Sequence, residues 1–270
     1  MTLKEAEELL LGAGIEDARH EARIIFAEVG GEPLYKLLTP SYSSESPEVE
    51  KALKRRAERE PLAYVIGAVD FYNERYKVTP DCLIPRADTE ILVDFAVKHI
   101  PEGESFVDLC TGSGCVAVST LANTKGTRAI AADISEGALS VARENAEFMG
   151  VANRVDFKLF DVKSGALCER AFAVLSNPPY VSEESYKTLE PEIYKEPREA
   201  FVGGADGGDF YRILTPIYRD VIDPRGFIAY EIGFDQRAIM EQIAEENGMN
   251  LQIIRDLGGR DRVAVLWHKG

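Results

Sequence analysis

The stretch Phe106-Val107-Asp108-Leu109-Cys110-Thr111-Gly112-Ser113-Gly114, running on into Cys115-Val116-Ala117-Val118, restricts the architecture of this chain more than any other segment. A short apolar strand that passes through a glycine turn straight into an apolar helix is the opening βα unit of a doubly wound sheet. Gly112 and Gly114 permit positive φ and let a ligand approach the backbone closely. A second apolar run, Thr127 to Ala132, ends in Asp133. It lies roughly twenty residues on, the spacing at which an acid accepts from a cofactor ribose. Ile134 beside it belongs to the same candidate site. A third run, Val155 to Phe160, ends at Asp161, placed to accept from an adenine amino group, with Phe160 or Val162 as the side chain packed on the base. The glycine turn by itself is ambiguous, because Gly112-x-Gly114-x-x-Ala117 also fits a dinucleotide fingerprint.

A fourth apolar run, Ala171 to Ser176, stops at Asn177-Pro178-Pro179-Tyr180. It reads as a buried strand, and open α/β sheets carry their chemistry just beyond the carboxyl ends of such strands. Neither proline has an N–H to donate. The corner therefore offers acceptors: the Asn177 side-chain oxygen and the Pro178 carbonyl. Together they can hold both hydrogens of a planar NH2 group and leave the nitrogen's face open, with Tyr180 as a flat surface for stacking. Such a corner suits an NH2 group on a conjugated system. The competing interpretation is a strand-ending turn with a surface tyrosine.

Taken in order, these segments resemble the class I S-adenosylmethionine-dependent methyltransferases. Within that class the chain is similar to the HemK/PrmC family, the protein-(glutamine-N5) methyltransferases of peptide chain release factors. The resemblance runs over essentially the whole chain: Pro61 to Gly67, Leu83-Ile84-Pro85-Arg86-Ala87-Asp88-Thr89-Glu90, the Asp108 to Gly114 turn, Asp133, Asn177 to Tyr180, Glu196-Pro197 through Gly207, and Tyr230-Glu231-Ile232-Gly233. The Asn-Pro-Pro-Tyr corner is shared with adenine-N6 and guanine-N2 methyltransferases, and the Ile-Pro-Arg-x-Asp-Thr-Glu stretch separates this family from them. The resemblance implies a Rossmann-like α/β fold with a seven-stranded sheet, S-adenosylmethionine as cofactor, and a glutamine of the release-factor Gly-Gly-Gln loop as acceptor. It implies cofactor contacts from Asp108, Cys110, Thr111, Gly112, Ser113, Gly114, Asp133, Ile134, Phe160, Asp161, Val162 and Asn177. Catalysis falls to Asn177, Pro178 and Tyr180, and substrate contacts to these three with Pro179 and Arg86. Arg86 has a second interpretation, a structural ion pair. Cys110 stands where the family commonly has Gly, which suggests that positive φ is not required there.

The first 66 residues are expected to form a small helical domain for partner recognition, 67–80 a hairpin linker turning at Asn73-Glu74, and 81–270 the methyltransferase domain. Thr2-x-x-Glu5 is a capping box, and Ser46-Pro47 an N-cap with proline in the first turn. Later helices are predicted from Asp88 as N-cap, over 135–149, 208–222 and 235–247, and the last two strands are expected to pair antiparallel. The net charge of −15 argues against broad phosphate binding, and the basic run Lys51, Lys54, Arg55, Arg56 and Arg59 reads as a solvated helix face. No apolar run approaches the ~18 residues of a membrane span. Four cysteines without paired spacing read as reduced thiols of a cytoplasmic protein, and no metal site is expected. A monomer acting on a protein partner is the expected form. A nucleic-acid amino methyltransferase and an idle binding module are the alternatives.

Overall fold

The computed structural model describes residues 1–33, 35–39 and 41–270. Contacts divide it into two units, Met1–Val69 with Glu190–Lys195, and Asp70–Leu189 with Glu196–Gly270. Residues 190–195, assigned by sequence to the methyltransferase domain, thus belong to the helical unit.

The helical unit contains α1 (Leu3–Gly12), α2 (Ala18–Glu28), α3 (Pro47–Ala57) and α4 (Leu62–Ile66). Thr2 closes the expected capping box: its hydroxyl accepts from Glu5 N at 3.2 Å while the Glu5 carboxylate accepts from Thr2 N at 2.7 Å. Leu3, Ala6 and Leu10 face inward from α1 and meet Ile25, Phe26 and Leu53 in one core. The basic run on α3 departs from expectation. Lys51 and Lys54 are exposed, but Arg56 is buried. Its guanidinium binds Glu21 and, at 2.8 Å, Glu192; Arg59 takes the second Glu192 oxygen at 2.8 Å. A buried cation between two carboxylates holds only while all its partners remain, so these charges fasten α2, α3 and the segment around Glu192 together.

A hairpin of β1 (Ala68–Phe71) and β2 (Glu74–Lys77) follows. Its turn falls at Tyr72-Asn73, one residue before the predicted place, with φ of +52° and +62°. Two consecutive left-handed residues give the loop whose twist matches a hairpin. Tyr72 tolerates this because its N–H donates to Glu90 at 2.8 Å and its hydroxyl to Asp94 at 2.8 Å.

The remaining elements are α5 (Glu90–His99), β3 (Ser105–Leu109), α6 (Cys115–Ala122), β4 (Arg128–Asp133), α7 (Glu136–Phe148), β5 (Val155–Leu159), β6 (Ala171–Ser176), α8 (Glu183–Tyr186), α9 (Asp209–Arg219), β7 (Ile222–Glu231), α10 (Arg237–Glu246), β8 (Met249–Arg255) and β9 (Asp261–His268). The seven-stranded sheet has the order β5-β4-β3-β6-β7-β9-β8, with β9 antiparallel to both neighbours and the other pairs parallel. The Rossmann-like α/β sheet expected from sequence is therefore present. Every residue of β6 is buried, as its unbroken apolar run requires. The chain winds outward from β3 through β4 to β5, then returns to place β6 on the other side of β3. That reversal opens a crevice at the carboxyl ends of β3 and β6.

Asp88 is not the N-cap of α5. A 3-10 turn spans Ala87–Thr89, and Asp88 pairs with Arg262 at 3.1 Å. Thr89 occupies the N-cap position but makes no side-chain capping bond. Its hydroxyl is engaged elsewhere. The helix predicted over 208–222 ends at Arg219, because Ile222 already starts β7.

Candidate active site

A cavity of about 450 Å³ lies at the crevice, lined by Cys110, Gly112, Asp133, Ile134, Phe160, Asp161, Val162, Asn177 and Pro179 among others. Eight of the twelve residues expected to touch the cofactor are thus brought to one cavity. Asp108, Thr111, Ser113 and Gly114 do not line it. They build the loop from behind: Thr111 Oγ1 donates to Asp108 Oδ2 at 2.5 Å and Ala117 N donates to the same oxygen at 3.2 Å. Burial pushes the Asp108 carboxyl up to about 7, against those two hydrogen bonds. Pro178, Tyr180 and Arg86 also lie off the cavity lining.

Cys110 has φ +59°, so the expectation that this position needs no left-handed backbone is incorrect. The chain must turn there so that Thr111 N can reach Ala132 O at 2.9 Å. A non-glycine residue held in this region costs roughly 1–3 kcal/mol, which explains a glycine preference at the position.

Asp133 sits across the glycine turn. Its Oδ2 accepts from Gly112 N at 2.8 Å and its Oδ1 from Ser135 N at 3.0 Å, leaving outward lone pairs toward the cavity. Burial raises its carboxyl above the ordinary range, opposed by these backbone N–H groups. Asp161 accepts from Lys163 N at 3.0 Å, and Ile134 is 64% exposed, an apolar side chain at the cavity rim. The lining carries six carboxylates (Asp81, Asp133, Asp161, Glu183, Glu199, Asp209) against two cations, Lys163 and Arg198. A dinucleotide pyrophosphate would meet repulsion there, whereas a sulfonium cofactor with an ammonium group is attracted. This electrostatic balance decides between the two cofactors that the glycine turn left open, and it fits S-adenosylmethionine.

At the other side of the crevice Asn177 Nδ2 donates to Thr89 Oγ1 at 3.1 Å. Among the described residues nothing donates to Asn177 Oδ1 or to the Pro178 carbonyl. Tyr180 is turned inward. Its hydroxyl donates to the buried Glu231 at 2.9 Å, and its carbonyl accepts from Gln236 Nε2 at 2.8 Å. The flat stacking surface assigned to Tyr180 is thus packed against the core behind β6. Two glycines of the later motif seat the corner: a Cβ on Gly203 would lie 2.3 Å from Pro179 O, and one on Gly207 2.1 Å from Tyr180 O. Gly203→Ala should therefore lower stability by about 1–3 kcal/mol, read as a fall in the urea midpoint at unchanged slope. An unchanged midpoint would mean the corner yields easily.

Arg86 pairs with Glu196, whose side chain is 2% exposed, and donates to Ile84 O at 3.0 Å; Glu196 in turn accepts from Ile84 N at 3.0 Å. Of its two interpretations the structural ion pair is the one realised. Sequence reasoning gave Thr89, Glu231 and Gln236 no role. Thr89 and Glu231 stood inside quoted motifs, but only the folded chain brings them to the corner.

Strand order, glycine turn, acidic strand ends and the donor-free corner together define a class I S-adenosylmethionine-dependent methyltransferase. Solved structures agree on the fold: a ribosomal protein L11 methylase from Lactobacillus delbrueckii subsp. bulgaricus (TM-score 0.53, 17% identity, 72% of this chain and 84% of that one) and the hMettl16 catalytic domain in complex with an RNA hairpin (TM-score 0.58, 13% identity, 83% and 82%). Residues 2–67 match the PrmC N-terminal domain and residues 87–205 the methyltransferase small domain. The chain is 35% identical to the release factor glutamine methyltransferase of Caulobacter vibrioides over 96% of its length and 93% of that protein. It is 34% identical to that of Moorella thermoacetica over 99% and 97%. The chain belongs to the release factor glutamine methyltransferase family.

Proposed function

We propose that this enzyme methylates the side-chain amide nitrogen of a glutamine in the Gly-Gly-Gln loop of a peptide chain release factor, with S-adenosylmethionine as donor. The observation that carries the reading is the pair of acceptors, Asn177 Oδ1 and the Pro178 carbonyl, to which no group among the described residues donates. Family membership supplies the acceptor class.

The cofactor provides an electrophilic methyl carbon on a sulfonium that leaves as a neutral thioether. Asp133 would hold its ribose hydroxyls and Asp161 its adenine amino group, with Phe160 or Val162 packed on the base and Ile134 at the rim. A carboxamide nitrogen is a poor nucleophile because its lone pair is delocalised into the carbonyl. Asn177 Oδ1 and the Pro178 carbonyl take its two hydrogens, fix its plane, and strengthen their hold as positive charge develops on nitrogen. The two prolines keep this geometry stiff. The methylated, cationic nitrogen then loses its extra proton to water, so no dedicated base is needed. The helical unit, a single copy of the chain acting as a monomer, and a cytoplasmic setting complete the reading.

Incubation with labelled S-adenosylmethionine and a release factor, with protease and nuclease treatments in parallel, tests it. Label should enter protein and map to glutamine. Label in nuclease-sensitive material would replace the reading with a nucleic-acid amino methyltransferase, and no label at all would leave a binding module.

A further inference from the structure

Gln236 stands at the N-cap position of α10, where Ser, Thr, Asn and Asp are preferred, yet its side chain makes no capping bond. It is buried, and its amide is spent on three other groups. Oε1 accepts from Gly233 N at 2.8 Å and from the buried Tyr211 hydroxyl at 3.1 Å, while Nε2 donates to Tyr180 O at 2.8 Å. A backbone N–H only donates and a carbonyl only accepts, so Gly233 and Tyr180 fix which way the amide points. Gln236 N returns a bond to Gly233 O at 3.0 Å, which closes 233–236 into a tight turn beneath the side chain. Two glycines of the sequence motifs make the room. A Cβ on Gly207 would lie 2.5 Å from Gln236 Nε2, and one on Gly233 would lie 3.1 Å from Gln236 Cδ.

The Asn-Pro-Pro-Tyr corner needs an anchor of this kind. Pro178 and Pro179 have no N–H with which to tie the chain down. Among the described residues, the one hydrogen bond to the main chain of 178–180 is the bond from Gln236. Pro179 locks its own φ, so only ψ of Pro179 and the two torsions of Tyr180 separate the anchored Tyr180 carbonyl from the Pro178 carbonyl. Holding the first therefore restrains the second.

We propose that Gln236 is a positioning residue that clamps the Tyr180 carbonyl to the turn after β7 and so keeps the Pro178 carbonyl in place for the acceptor amide. The purpose of the clamp rests on the glutamine-methyltransferase reading, and its geometry does not.

Two variants test it. Gln236→Glu keeps an acceptor for Gly233 N and turns a second acceptor against Tyr180 O. Gln236→Met fills the same space with neither charge nor donor, and carries the test if the buried carboxylate prevents folding. Both should lower kcat about tenfold or more, the bias of one net hydrogen bond, while cofactor affinity and the KM for the release factor hold. Tyr211→Phe is the control: it removes one bond to Gln236 Oε1 but leaves the bond to Tyr180 O. It should lower the urea midpoint while kcat stays within about twofold of wild type. Pro179-Tyr180 is the only Pro-Tyr pair in the sequence, so protein isotope-labelled at proline carbonyl carbon and tyrosine nitrogen gives one NMR peptide cross-peak, from the corner itself. That cross-peak should shift or double in Gln236→Glu and Gln236→Met and stay in place in Tyr211→Phe. An unmoved cross-peak in the Gln236 variants, or undiminished kcat, overturns the proposal. An equal loss of kcat in Tyr211→Phe would show general loosening and would also overturn it. The spectrum needs no substrate, so a wild type that leaves glutamine unmethylated sinks the functional reading while the clamp is still judged.

Discussion

Replacing Asn177 by Ala should lower turnover by about 10²–10³ while leaving cofactor affinity nearly unchanged. Asn177 directly follows β6 and lines the cavity, and among the described residues nothing donates to its oxygen or to the adjoining Pro178 carbonyl. Removing it leaves the Pro178 carbonyl to hold a single hydrogen of the substrate amide, so the plane of the nitrogen is no longer fixed and the growing charge loses one of two dipoles. Because the acceptors bind more tightly as charge develops, the loss should appear in kcat more than in KM. Asn177→Asp separates shape from charge. It keeps an oxygen in place but loses the NH2 that anchors the side chain on Thr89 and adds a negative charge to the corner. It too should be slow. Steady-state kinetics on a release factor, with cofactor binding measured by calorimetry, checks both variants. Turnover of Asn177→Ala within a few fold of wild type would mean that the corner does not grip the acceptor.

The strands that carry the site were legible from the sequence, though not their order in the sheet, because parallel strands buried on both faces are nearly continuous apolar runs, and here each one stops at a chemically distinctive residue. Asp133 ends β4, Asp161 lies just beyond β5 and Asn177 just beyond β6, and the sheet brings all three to one cavity. Boundaries were less legible where tertiary contacts override local signals. Asp88 looked like a helix cap but is drawn to Arg262, and Tyr72 adopts a left-handed backbone that only its bonds to Glu90 and Asp94 sustain. Arg56 read as solvated because its neighbours on α3 are charged, yet its partners Glu21 and Glu192 are remote in sequence. The same holds at the site. A single sequence marks Asn177, but that Thr89 lies 88 positions away behind it is a property of the sheet. Tyr180 was assigned a face for the substrate on residue type alone, and its hydroxyl bond to Glu231 turns it inward instead.

Asp133→Ala should weaken cofactor binding roughly ten- to hundredfold, the worth of ~1.5–3 kcal/mol in charge-assisted hydrogen bonds. The magnitude has two sources that can be separated. In the proposed site the carboxylate would accept from the ribose hydroxyls, and it also accepts from Gly112 N and Ser135 N, so it fixes the glycine turn at the cavity. Asp133→Asn keeps one oxygen for the turn but loses the charge and half the acceptor capacity, and should fall between wild type and Ala. Acidity offers a further handle. Burial raises the Asp133 carboxyl, and the ionised form is the one that binds, so affinity is present above its folded pKa and is lost as pH falls through it. Binding to hydroxyls favours the anion and draws that pKa down again, so cofactor uptake at mildly acidic pH should release protons in the wild type and release fewer in Asp133→Asn. Calorimetry with the product cofactor in two buffers of different ionisation heat measures both quantities. Unchanged affinity in Asp133→Ala would remove this residue from the cofactor site and return the ribose to another acid of the cavity, such as Glu199.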